Sequence, residues 1–359
     1  LVHGHKLGQH VHVALKVSRE GSQPANVEID YAHDGLHQPK LSSLTVHLAD
    51  DRVMEIRRGK GAGGPYVLSV NGKAQGGEQA ANFSFPVHGL FPIVGDERPK
   101  KGRPTASKAL RREARALFAD IEDILRSLSP LGAFREMPRR GYELGGFNRS
   151  VSDTTGRYVV QALLDDFTRR GKARKQLWRG VNLWLKDVAR VQLLPIKLPG
   201  KGSRSFELRL KDINTGQWAN FADVGSGIGQ AFPVIVEGLR TPEGGTFLVQ
   251  EPEIHLHPDA QLQMGQFLFD LAQSGRRVIA ETHSEHLLLR VRRLIVESKG
   301  RLSSDDVSIL FVDHDQSGAA TVKALNMDEM GQILNWPAGF MEDASNERMT
   351  LLKAIASKH

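Results

Sequence analysis

Two side chains in this sequence are spaced to act on a bound phosphate. The apolar run Thr246-Phe-Leu-Val-Gln250 has strand composition and ends at a carboxylate, Glu251. A second run of the same kind, Arg277-Val-Ile-Ala280, ends just before His283. Two buried strands that deliver a carboxylate and a histidine to one sheet edge point to nucleotide hydrolysis. The carboxylate orients a water and the histidine senses the terminal phosphate. Upstream, Gly225-Ser226-Gly227-Ile228-Gly229-Gln230 precedes a helical pattern. Glycines and a hydroxyl at a helix N-terminus make an anion site from backbone N–H groups and the helix dipole.

The surrounding elements alternate. Phe206–Leu210 reads as a strand, and a helix follows over 229–239. Strand 246–250, helix 259–273, strand 277–281, helix 284–298 and strand 307–312 come next, with Ser284 as a helix cap. This alternation predicts a parallel core sheet with helices packed on it. Residues 11–94 instead read as an antiparallel meander of short strands separated by turn residues. The clearest hairpin signal is Asn71-Gly72. Over 105–128, Leu110, Ala114, Leu117, Ile121, Ile124 and Leu128 form a heptad seam, capped by Thr105 or Ser107. Tyr158 to Phe167 and Trp178 to Val188 supply two further helices.

These residues resemble the ABC class of ATPases, in particular the RecF/OLD-like branch called AAA family ATPases. Glu251-Pro-Glu-Ile-His-Leu-His-Pro258 resembles that branch's Walker B and D-loop. Asp223–Gln230 resembles its signature, Leu131–Arg140 its Gly-Pro-x-Arg segment, and Asn335-Trp-Pro-Ala-Gly-Phe340 the close of a small C-terminal domain. The resemblance implies an ABC-type P-loop NTPase head with ATP and Mg2+ as cofactors. Glu251 is then the catalytic carboxylate and His283 the switch histidine. Gly225, Ser226, Gly227 and Gln230 contact nucleotide held by a second copy, in a homodimer of ATP-sandwiched heads. Glu253, His257, Pro258 and Asp259 form the D-loop, a better reading of the Glu-x-His-x-His spacing than a zinc site. The family pair is Asp-Glu, whereas here it is Gln250-Glu251. A neutral amide is a weak ligand for magnesium, so Gln250 is left in an outer-sphere role.

No stretch reads Gly-x-x-x-x-Gly-Lys-Ser/Thr, the loop that cradles phosphates. Gly59–Gly64 and Pro199–Ser203 are glycine-rich but fit hairpin turns. The expectation is that the numbered chain, which begins at Leu1, lacks the portion carrying that loop. The other reading is a degenerate relative that does not hydrolyse ATP.

The absence of cysteine excludes disulfides, thiolate zinc sites and a cysteine nucleophile. No apolar run approaches the ~20 residues that span a bilayer, and the first residues are not a signal peptide, so a cytoplasmic protein is expected. The net charge of +7 is concentrated. Residues 98–140 carry twelve Lys/Arg against five acids, and 157–190 carry nine against three. Such a footprint suits a phosphate backbone, with Arg111, Arg112, Arg115, Arg139 and Arg140 as nucleic-acid candidates. His10 and His12, two apart on one strand, read as surface histidines.

The expected organisation is therefore an antiparallel β part of the head over 1–95 and a basic helical insertion, an arm or lid, over 96–200. An α/β core over 201–317 and a small C-terminal domain over 318–359 complete it. The function expected is ATP hydrolysis coupled to head dimerisation, acting on nucleic acid or a separate effector protein in DNA repair or anti-phage defence. The alternative is a non-hydrolysing scaffold for a partner nuclease or toxin. Asp313-x-Asp315, which ends a strand as in a Toprim nuclease, lacks the further acids that chemistry needs.

Overall fold

The computed structural model describes residues 10–17, 25–32, 40–48, 51–58, 66–74, 83–84, 93–94, 116, 127–144, 153–171, 175–197, 205–298, 302–316, 318–337, 340–341 and 343–356. The chain divides into two compact units, Leu1–Arg126 and Ser127–His359.

In the first unit, β1 (His10–Val17), β2 (Ala25–Ala32), β3 (Lys40–His47), β4 (Val53–Arg58), β5 (Tyr66–Val70) and β6 (Lys73–Ala74) form one antiparallel meander in chain order. Alternation puts one apolar face inside. Val27 pairs with Val46, Ile29 with Leu44, Leu44 with Ile56 and Val46 with Met54, and all six are buried. Asn71 and Gly72 turn β5 into β6 with φ of 50° and 73°, the left-handed pair a type I′ turn requires. Asn71 Oδ1 also accepts from Val53 N at 2.8 Å, which ties the turn to β4. The short strands β7 (Phe83–Ser84) and β8 (Ile93–Val94) pair with each other.

The second unit contains β9 (Leu128–Leu131), β10 (Tyr142–Glu143), α1 (Val159–Thr168), α2 (Gln176–Ala189), β11 (Val191–Leu193), β12 (Ser205–Phe206), β13 (Arg209–Asp212) and β14 (Trp218–Asn220). These are followed by α3 (Ser226–Arg240), β15 (Thr246–Gln250), α4 (Pro258–Gln273), β16 (Arg277–Glu281), α5 (Glu285–Glu297), β17 (Ile309–His314), β18 (Ala320–Leu325) and α6 (Asp343–Ala356). The parallel sheet has the order β16-β15-β9, with Thr246 level with both Arg277 and Leu128. The fold is thus mixed α/β, with an antiparallel meander and a parallel core sheet.

One large apolar cluster unites this unit. Phe247 and Val249 of β15 pack with the buried run Ala231–Val236 of α3, with Met264, Phe267 and Leu271 of α4, and with Val181 and Leu185 of α2. An edge-to-face contact between Trp184 and Phe267, centroids 5.0 Å apart, joins α2 to α4.

The structure departs from the sequence expectations at three places. Leu128, the last position of the heptad seam, begins strand β9 instead. The rest of that seam lies outside the described residues, as do Gly59–Gly64, Pro199–Ser203 and the histidines of the first ten residues other than His10. The strand expected at 206–210 is split between β12 and β13, which join separate antiparallel pairs. The strand expected at 307–312, β17, pairs antiparallel with β18 and takes no part in the parallel sheet.

Candidate functional site

Glu251 leaves the C-terminal end of β15, and His283 follows the C-terminal end of the neighbouring parallel strand β16. Their side chains meet: His283 Nε2 lies 3.2 Å from Glu251 Oε1, with Glu251 23% and His283 85% exposed. The carboxylate is therefore sheltered, and the imidazole faces solvent. Burial, then the neighbouring Glu253 carboxylate, raises the Glu251 carboxyl above its ordinary value of 4.5, and His283 opposes that rise.

The turn after β15 is sharply bent. Glu251 has φ of 45° and His255 φ of 64°, left-handed values that cost a non-glycine residue about 1–2 kcal/mol each. Hydrogen bonds hold the bend: Glu251 N donates to Glu281 O at 2.8 Å, and Ile254 N donates to Glu251 O at 3.2 Å. Glu253 then turns inward and is buried. Its Oε1 accepts from Thr282 Oγ1 at 2.6 Å and from His283 N at 2.8 Å. Glu253 therefore fixes the backbone of the very residue that meets Glu251. Ser284 caps α5 by accepting from Leu287 N, and its hydroxyl donates to Gln261 Oε1 at 2.6 Å.

His257 is the N-cap of α4, accepting from Asp259 N, and Pro258 opens the first turn. Asp259 is exposed and 3.7 Å from Arg190. Gln250 is exposed, and its amide donates to Glu281 Oε2 at 2.7 Å. Among the described residues no group of three or more His, Asp or Glu is arranged to hold a metal ion.

The glycine segment is organised differently from the sequence expectation. Helix α3 starts at Ser226, three residues earlier than 229, so Gly227 and Gly229 lie within the helix. Both are packing positions: a Cβ on Gly227 would lie 2.6 Å from the His255 carbonyl oxygen, and one on Gly229 2.8 Å from Pro138 Cγ. Only Gly225 and Ser226 are open, with nothing within 4 Å of a Cβ built on Gly225. Gln230 is buried behind that turn, its amide 3.6 Å from Met137 Sδ. Burial separates it from the open pair with which the sequence grouped it.

Sequence reasoning missed Arg135. This side chain is 6% exposed, and burial pushes its guanidinium down to about 10, so it stays charged at neutral pH. Nη1 donates to Gln230 O at 3.2 Å, and Nη2 donates to Gln250 O and to Glu251 O, the latter at 3.0 Å. The quoted Leu131–Arg140 segment contained it, but no local pattern reveals partners more than ninety residues away. Of the nucleic-acid candidates, Arg139 pairs with Glu136, and Arg140 pairs with Asp223 at 2.6 Å. Arg111, Arg112 and Arg115 lie outside the described residues. A groove of about 460 Å³ lined by Asp165, Arg169, Gly180 and Leu239 shares no residue with the Glu251–His283 pair.

Comparison of the sequence with known families returns two matches. Residues 94–290 match the family described as "AAA domain, putative AbiEii toxin, Type IV TA system". The chain belongs to this AAA domain family. The AAA domain is a nucleotide-binding ATPase domain. Residues 293–351 match a second family, described as a protein of unknown function, DUF3696. No curated protein matches the sequence. Among solved structures, the chain is similar to the SMC head domain from Thermotoga maritima at 8% identity and a TM-score of 0.34, covering 82% of this chain and 73% of that one. It is similar to the Smc head from Pyrococcus furiosus bound to the C-terminal domain of ScpA, at 8% identity and 0.34, covering 94% and 83%. For the SmcHead bound to the C-winged helix domain of ScpA the values are 11% and 0.37, covering 85% and 76%. Likeness at this level carries no functional weight. Among the described residues of the AAA domain protein, no helix is long and apolar enough to cross a membrane.

Proposed function

We propose that this protein binds and hydrolyses ATP with Mg2+ between two copies of its head, and that the nucleotide cycle acts on nucleic acid or on a separate effector protein. The observation that carries the reading is the 3.2 Å contact between Glu251 and His283 at adjacent parallel strand ends. Glu251 is the base that aligns a water, in surroundings that raise its carboxyl toward the working range. His283, exposed beside it, reaches the terminal phosphate. Gly225 and Ser226, exposed at the positive end of α3, suit a phosphate presented by another molecule.

The residues at the strand ends fit a magnesium ion carried by phosphates, which needs only one or two protein carboxylates. Glu281 supplies the carboxylate beside Gln250, and Gln250 holds it through its amide. Bound there, the ion neutralises phosphate charge. The basic stretches over 98–140 and 157–190 support nucleic acid as a target, and the RecF/OLD-like resemblance supports a repair or defence role. A scaffold that binds without turning over is the second reading, favoured by the neutral Gln250.

In the full-length protein, Glu251→Gln should lower ATP turnover by about 100-fold or more and leave an ATP-dependent dimer that persists in size-exclusion chromatography with light scattering. Unchanged turnover removes Glu251 from its role. A wild type that binds ATP and shows no turnover leaves the scaffold.

A further inference from the structure

We propose that Arg135 is a positioning residue that clamps Glu251 in its left-handed conformation and sets it relative to α3, the helix with the open N-terminal turn. The clamp itself is read from geometry, and its part in turnover rests on the reading of Glu251 above. Three carbonyls converge on one buried guanidinium. Gln250 O and Glu251 O lie on either side of the strained bend, and Gln230 O lies in the second turn of α3. A planar fork of five donors can bridge three acceptors that sit in two elements; an ammonium on the same stem has no fixed directions and cannot hold all three.

The rest of the guanidinium argues against a role in stability alone. Arg135 Nε is buried without a hydrogen-bond partner among the described residues, and burial alone disfavours the charge. An apolar side chain would fill the same space without that cost. What an apolar side chain could not do is hold Glu251 O. Among the described residues that carbonyl otherwise accepts only the 3.2 Å bond from Ile254 N, while the 2.8 Å bond from Glu251 N to Glu281 O holds the residue at φ of 45° from its other side. The same guanidinium ties the bend to α3, so Glu251 is set only while that helix is seated. Gly227 packs α3 against the His255 carbonyl from the opposite end of the turn, which gives the helix two holds on one bend.

Hydrogen exchange on full-length Arg135→Lys tests this. Amides of Glu251 and Ile254, and of Ile228 and Gly229, should exchange at least about tenfold faster together, while Met264–Leu271 of α4 keep their protection. Turnover should fall about 100-fold, as for misplaced catalytic geometry, with the dissociation constant for MgATP unchanged within about threefold. Equal loosening of α4, or loosening at only one of the two sites, overturns the proposal. If Arg135→Lys is too unstable to study, adding Glu251→Gly should restore it, because glycine takes a positive φ without strain. A double variant as unstable as the single one also overturns the proposal. A wild type that turns over no nucleotide ends the ATPase reading and leaves the exchange result to decide the clamp.

Discussion

Gly227→Ala isolates the contact between the first turn of α3 and the bend that carries Glu251. Two effects of opposite sign compete. Alanine in a helix is favoured over glycine by about 1 kcal/mol, so the substitution stabilises if the new methyl has room. It has none: the Cβ lies 2.6 Å from the His255 carbonyl oxygen and 3.5 Å from the carbonyl carbon. Reaching an ordinary contact requires a shift of most of an ångström. The obstructing atom is backbone, in a residue held at φ of 64°, so no side-chain rotation relieves it. Forcing an extra methyl into such a site costs about 1–3 kcal/mol. The contact therefore wins, with a net loss of about 1 kcal/mol. The four tryptophans, Trp178, Trp184, Trp218 and Trp336, all lie in the Ser127–His359 unit. Urea unfolding followed by their fluorescence thus reports this unit alone. The midpoint should fall at constant slope. A midpoint that rises would show that the turn yields freely, and the argument for a close helix-to-bend contact would fail.

Two other outcomes follow from the site. Glu253→Ala removes the acceptor for Thr282 Oγ1 and His283 N; leaving those donors without it should cost about 1–3 kcal/mol, read as a lower urea midpoint, with turnover falling too. The pH profile of kcat/KM should rise on an acidic limb displaced above 4.5, because Glu251 is raised; Glu253→Gln should move the limb downward, and Glu251→Gln should abolish it. The sign for stability is opposite to that for activity. A carboxyl that holds its proton more tightly in the fold destabilises the fold as pH climbs from about 4.5 through the raised value.

The strand ends of the proposed site were legible because their signals are local. Thr246–Gln250 and Arg277–Glu281 are apolar runs of strand length, each ending beside a polar residue, and pairing in register brings those ends together. The turn Asn71-Gly72 was legible for the same reason. What the sequence hid depends on distance along the chain. Leu128–Leu131 continues a helical spacing, includes Pro130, and becomes a strand only by pairing with β15 more than a hundred residues later. An edge strand can take a proline that a central one cannot. Glu253 reads as one more acid in a polar turn until Thr282 and His283 fold over it. The glycines of the 225–230 segment look alike in sequence, yet Gly225 faces open space while Gly227 and Gly229 are pressed against backbone and proline. Only the neighbours supplied by the fold separate the two uses.

Helix α5 begins two residues after His283. Arg292, seven residues into that helix, donates to Gly331 O at 2.6 Å and lies over the ring of Trp336. Trp336 in turn donates to Phe340 O at 2.7 Å, and the Phe340 ring touches Phe311 of the β17–β18 hairpin. A hairpin of two strands has little stability of its own, so it stays where this aromatic cluster keeps it. The span from Ser284 to Arg292 is roughly 12 Å along the helix axis. One helix therefore joins the backbone beside the imidazole to the aromatic cluster that seats the C-terminal hairpin.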